Sequence, residues 1–278
     1  MRASSVISLA AALCLMAGAA VADAPKRVVS MNLCTDQLAM LLAAPGQLIS
    51  VTKLAQDPRS SAMAAEAAQY RANTGVAEDV FLLNPDLVVA GTYNAGPTLN
   101  MLERLGIPVV TFSPANALEE IPDLLHQMGD VLGRRDAADD AAQRFSEQLA
   151  DLQTSNADGP RAALYYSQSY TAGDKTLAGQ ILATSGFLNI ADEYGLSSGG
   201  TLPLELLVLS APDVVITGRP YEGYSEADAV MSHPVLAEAG TTEADTLLTS
   251  REWVCGTPHV LNAVAAMVMA REQLDAAE

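Results

Sequence analysis

Two stretches of this chain follow one pattern. EDVFLLNPDLVVAG runs from Glu78 to Gly91, ELLVLSAPDVVITG from Glu205 to Gly218, and matching positions lie 127 residues apart throughout. Each opens on Glu, reaches Pro-Asp seven and eight residues later, then runs through β-branched residues to Gly. Proline ends a helix, and a short apolar run behind it suits a strand buried on both faces of a parallel sheet. The terminal Gly lets the backbone leave the strand's carboxyl end tightly. A chain that writes this helix–turn–strand unit once in each half is confined to two α/β blocks of related construction.

The remaining pattern agrees. In the first half, RVVSM (Arg27–Met31), LISVT, Leu87–Gly91 and IPVVTF read as strands. The helices between them are TDQLAMLLAAPG, closed by Pro45 and Gly46, and TLNMLERLG, closed by Gly106. From Leu118 to Gln153 the chain reads as helix with one break at Gly133, and Ala141, Phe145, Leu149 and Leu152 form an apolar stripe. A second α/β block begins at RAALYYS, continues through DVVITG and DTLLTS, and ends in a helix over Pro258–Leu274 with Thr257 as its expected cap.

The first 22 residues carry Arg2, an apolar run from Val6 to about Ala20, and an Ala-Val-Ala cleavage pattern. They read as a cleavable secretory signal; the run is short for a membrane span, and Leu13 before Cys14 disfavours a lipoprotein. Acidic residues outnumber basic ones 33 to 15, a formal charge of −18, which excludes a nucleic-acid or anionic-lipid footprint.

Taken in order, these features resemble the periplasmic substrate-binding proteins of ABC importers for iron–siderophore complexes, haem and cobalamin. The residues that carry the resemblance are the two Glu-to-Pro-Asp phrases, LERLGIPVV, and the helical centre of the chain. It covers essentially everything from RVVSMNLCTDQLAMLLA to WVCGTPHVLNAV. It implies an N-terminal lobe over 23–133, an interlobe backbone helix over 134–156, and a C-terminal lobe over 157–278. A ligand would lie between two mostly parallel sheets. It implies a monomeric periplasmic carrier with no catalysis or resident cofactor, passing its ligand to an inner-membrane permease dimer. Carried over residue by residue, it makes Glu78 and Glu205 the charges that dock on the two permease subunits. A plain helix-dipole role for each Glu is the competing explanation.

Ligands of such folds sit outside the carboxyl ends of the strands. The loops there contain Asn32, Cys34, Tyr93, Tyr166, Tyr170, Arg219, Tyr221, Arg251, Trp253 and Cys255. Tyrosines concentrate in the second half, with Tyr165, Tyr194 and Tyr224 beside those named; their flat bodies and polar tips suit a large, partly apolar guest. Arg219 and Arg251 are expected to meet carboxylates of a chelate. Ordinary edge packing is the plainer account of the tyrosines.

Behind the signal stand only Cys34 and Cys255. Three readings stay open: two separate thiols, taken first; a disulfide across the cleft; or soft ligands to a metal. Bare-metal binding is the weaker alternative function, since His126, His233 and His259 show no ligand spacing. The rival from another class is an exported enzyme using Cys34, but nucleophile-elbow, P-loop and dinucleotide patterns are all absent. A binding module serving a sensor would share the same architecture.

Overall fold

In the computed structural model, residues 23–154, 158–218, 230, 231, 233, 234, 236 and 246–276 are described. The first half contributes strands β1 (Val28–Ser30), β2 (Leu48–Thr52), β3 (Arg71–Asn73), β4 (Leu87–Gly91) and β5 (Val109–Phe112). They form one parallel sheet in the order β3-β2-β1-β4-β5. The second half contributes β6 (Arg161–Tyr165), β7 (Tyr170–Thr171), β8 (Leu188–Asn189), β9 (Gly200–Thr201), β10 (Val214–Thr217) and β11 (Thr246–Leu248). Here a parallel sheet runs β11-β10-β6-β8, and β7 with β9 makes a small antiparallel ribbon. This is the two-lobed α/β architecture expected from the sequence. Four strands went unread, β3, β7, β8 and β9: each is only two or three residues long, too short to show an alternating or apolar run.

Helices α1 (Leu33–Leu42), α2 (Ala64–Ala67), α3 (Ala77–Phe81) and α4 (Gly96–Arg104) belong to the first half. Then come α5 (Ile121–Leu132) and α6 (Arg135–Leu152), followed by α7 (Leu177–Thr184), α8 (Leu204–Ser210) and α9 (Val260–Asp275). Gly133 takes a left-handed conformation, φ 67°, and so ends α5 where the sequence break falls. With its 18 residues α6 is about 27 Å long. Ala138, Ala142, Phe145 and Leu149 are its buried face. One apolar cluster runs without interruption from Val28, Val89 and Phe112 of the first sheet, through Phe145, to Leu164 and Ile216 of the second and Val260 and Val264 of α9. The lobes therefore share a core along this side, and α6 is packed into it. The last helix begins later than expected. It starts at Val260, and the hydroxyl of Thr257 donates to Gln37 Oε1 (3.2 Å) rather than capping it.

The repeated phrase is built the same way twice. Each copy is a short helix (α3, α8) feeding a buried strand (β4, β10). Between them Asn84 and Ala211, neither of them glycine, both adopt positive φ, at 50° and 43°. An arginine at the edge of each lobe's first strand holds that turn. Arg27 donates to the carbonyls of Leu83 (2.6 Å) and Asn84 (2.8 Å), and Arg161 to those of Ser210 (2.5 Å) and Ala211 (3.2 Å). The carbonyls ending a helix lack intrahelical partners, so these guanidinium groups satisfy acceptors that would otherwise need water. The Asp of each Pro-Asp completes the clasp. Asp86 accepts from the backbone N–H of Arg27 (2.9 Å), and Asp213 from that of Arg161 (2.7 Å).

Candidate functional site

The carboxyl ends of the two sheets meet. Asn32 follows β1 and caps α1, its side-chain oxygen accepting from Cys34 N–H (2.9 Å). That places Cys34 at the opening of α1, facing the loop that follows β11. There Cys255 joins it in a disulfide with Cα atoms 5.2 Å apart, across 221 positions of sequence. Of the three readings of these cysteines, the separate-thiol one taken first is overturned. The two halves instead bring the Cα atoms within bridging reach. It also removes Cys34 as a free nucleophile.

The same loop is fastened at three further points. Arg251 reaches across to the carbonyl of Pro58 (3.0 Å), beyond β2, and Thr257 reaches Gln37. At Gly256 a side chain would collide with Ala115, so the loops behind β5 and β11 pack main chain against methyl. Arg251 is also paired with Glu252 (3.2 Å). It thus spans the lobes, and its half-exposed side chain also borders the junction where a ligand contact was expected.

The tyrosines separate by position. Tyr165 and Tyr166 are neighbours at the end of β6 and point to opposite faces, as strand alternation requires. Tyr165 is wholly buried in the second lobe's core and leaves the candidate set. Tyr166 is half-buried beside Gly218 at the end of β10, with its ring centroid 6.3 Å from that of Tyr170. Burial pushes its phenol well above the usual range, so it serves as a neutral donor or a flat contact. Tyr194 bonds Ser210 (2.6 Å) and has a structural task. Tyr93 stands 88% exposed beyond β4, and Trp253 is half-buried in the Arg251–Trp253 turn. Arg219, Tyr221 and Tyr224, like the leading 22 residues, lie outside the described residues. Among the described residues no cluster of metal-ligating side chains occurs.

Sequence reasoning missed two buried polar residues behind the cleft. Asp36, fully buried in the first turn of α1, accepts from Thr52 N–H (3.2 and 3.1 Å) and Thr52 Oγ1 (2.5 Å). Burial raises its carboxyl to about 7 against the lowering effect of those bonds. Gln37, beside it, holds Thr257. The sign was readable: three consecutive polar residues, Thr35, Asp36 and Gln37, interrupt an otherwise hydrophobic helix.

The profile of a family described as periplasmic binding proteins matches residues 28–247. The chain belongs to the periplasmic binding protein family. Members of this family bind substrates rather than transform them. A cobalamin-binding protein of Halobacterium salinarum is 29% identical over 200 residues, 70% of this chain and 54% of the relative. A vitamin B12-binding protein of Pectobacterium atrosepticum is 26% identical over 178 residues, 60% of this chain and 62% of its own. The matches thus span little more than half of these relatives. The solved periplasmic haem-binding protein RhuT from Roseiflexus sp. RS-1 superimposes with a TM-score of 0.72 at 18% identity, covering 89% of this chain and 98% of its own. The vitamin B12-binding protein BtuF of Vibrio cholerae gives 0.64 at 21%, covering 90% and 97%. At such identities the likeness establishes the fold. Among the described residues no helix is long and apolar enough to cross a membrane.

Proposed function

We propose that the protein is the periplasmic solute-binding component of an ABC import system, taking up a metal chelate of the cobalamin, haem or ferric-siderophore class. The observation that carries this reading is the convergence of both sheets' carboxyl ends, with Tyr166, Tyr170 and Trp253 close to that junction and family membership behind it. Cobalamin is the first choice, ahead of the ferric siderophore favoured by sequence alone, because the sequence relatives are named for it. The flat aromatic surfaces suit a broad macrocycle as well. Ligand is handed to a permease dimer through Glu78 and Glu205, and the carrier acts as a monomer.

The chain's single tryptophan, Trp253, makes the test direct. Cyanocobalamin, haemin and two ferric siderophores are titrated while Trp253 fluorescence and thermal stability are followed. The true ligand quenches Trp253 and, at 100 times its Kd, stabilises the protein by about 2.7 kcal/mol. A panel in which nothing shifts the melting curve overturns the chelate reading. With ligand known, Glu78→Lys combined with Glu205→Lys abolishes uptake in a reconstituted system and leaves ligand affinity unchanged.

A further inference from the structure

The two copies of the repeated phrase share six identical positions: Glu78 with Glu205, Leu82 with Leu209, Pro85 with Pro212, Asp86 with Asp213, Val88 with Val215, and Gly91 with Gly218. Four of these pairs have work inside the fold. The prolines and valines are buried, the aspartates close the arginine clasps, and the glycines lie against Asn32 and Tyr166. The other two pairs have none. Glu78 and Glu205 are exposed and make no ion pair among the described residues. Leu82 and Leu209 are each 77% exposed; among the described residues only Tyr93 is a more exposed large apolar side chain. Beside them Phe81 (46%) and Val208 (37%) extend the apolar surface.

In both copies the leucine stands four positions beyond the glutamate, about one helical turn on the same face. The N–H of Leu82 indeed bonds the carbonyl of Glu78 (3.1 Å). Each lobe thus presents the same small emblem, a carboxylate with a leucine and a second apolar residue beside it. Around these identical pairs the copies have drifted: Asp79 faces Leu206, Phe81 faces Val208, Asn84 faces Ala211. A leucine exposed to this extent gains nothing from the fold, so a shared function outside the chain explains why both copies hold it.

We propose that Leu82 and Leu209 are paired apolar anchors, each entering an apolar recess next to a basic pocket that receives Glu78 or Glu205. A partner matching two equivalent emblems on one rigid body must present two equivalent recesses, which a two-fold subunit pair does. The occupant is the permease dimer of the reading above, on which this inference rests. The glutamates steer and set register, while the leucines hold the complex by excluding water from the charged contacts. Because both contacts sit on one body, the second forms as an intramolecular event, and their contributions multiply.

The experiment measures binding of the full-length mature protein to the permease of the same import system in lipid nanodiscs. Leu82→Asp and Leu209→Asp each weaken binding about tenfold, and together about a hundredfold or more. Leu82→Met with Leu209→Met retains binding, since size and apolarity are kept. Leu82→Asn with Leu209→Asn, which adds no charge, weakens it as the aspartates do. All variants melt as the parent does, because neither leucine is buried. If the double Asp and Asn variants bind like the parent while Glu78→Lys with Glu205→Lys does not bind, the leucines are idle and the docking reading stands. If the parent itself does not bind, or the glutamate variant binds normally, the docking reading falls and the anchors with it. A loss confined to one lobe overturns the equivalence.

Discussion

The two lobes solve one problem with one device and then diverge in what surrounds it. In each, an arginine at the head of the first strand fills the open end of the helix that leads into the neighbouring strand, and the Pro-Asp carboxylate ties that arginine's own N–H. Among the described residues the first lobe's guanidinium does only this. In the second, Arg161 also meets Glu193 through Nη2 (2.9 Å) and Nε (3.0 Å). Among the described residues the first sheet has five strands and the second four with an added antiparallel ribbon. A duplicated unit therefore keeps the contacts that satisfy backbone groups and loosens those that merely fill space. The difference also isolates the segment the second lobe uses to reach its twin, Ser250–Thr257, which no repeat governs.

Breaking that link has the largest expected effect. Cys34→Ser with Cys255→Ser releases a loop of 221 residues and lowers stability by about 4 kcal/mol, roughly 10 °C in Tm. The loss vanishes when both proteins are melted under reductant. In calorimetry the variant shows the lobes' different stabilities as a broadened or split transition. A variant that melts with the parent under oxidising conditions shows the bridge to be idle.

The clasps come next. Arg27→Ala and Arg161→Ala each cost about 1–2 kcal/mol in denaturant titrations, by exposing helix-end carbonyls without a partner. Arg161→Ala costs slightly more, by the half-exposed Glu193 pair, a difference that shrinks in high salt. Equal and negligible losses in both would remove the clasp as the reason for the repeat.

The smallest effect belongs to Asp36, a carboxylate buried in the first turn of α1. Asp36 titrates at about 7 in the native protein, against an ordinary value near 4 in the unfolded chain. As pH rises from about 4 to 7 the unfolded chain releases this proton and the native one retains it, so the stability it contributes is lost over that window. Asp174 in the second lobe, raised to about 6 by burial and by Asp192, acts in the same direction. Asp36→Asn flattens part of the fall in Tm between pH 5 and pH 7.5. An unchanged slope assigns the whole trend to Asp174 and the chain's negative charge.

Most of the architecture was legible because it is local. Pro-Asp, the β-branched runs and Gly133 act over a few residues, and they positioned the strands and the α5–α6 break. The site was less so, because it is made by distant segments meeting. Nothing near Cys34 or Cys255 signals the other, and the chemistry of each alone fits a plain buried thiol. The bond from Arg251 to the carbonyl of Pro58 could not be foreseen, because a backbone carbonyl carries no sequence signature. Tyr165 was the readable exception: of two adjacent tyrosines on a strand beneath a core, one had to turn inward.

A bridge over 221 positions also fixes an order of events. Chains are made amino end first, so Cys34 waits as a lone thiol while the first sheet, α6 and most of the second are synthesised. Its closure certifies that both halves have already found each other. A protein that fails to assemble betrays itself as a pair of alkylatable sulfurs where the assembled one offers none from this bridge.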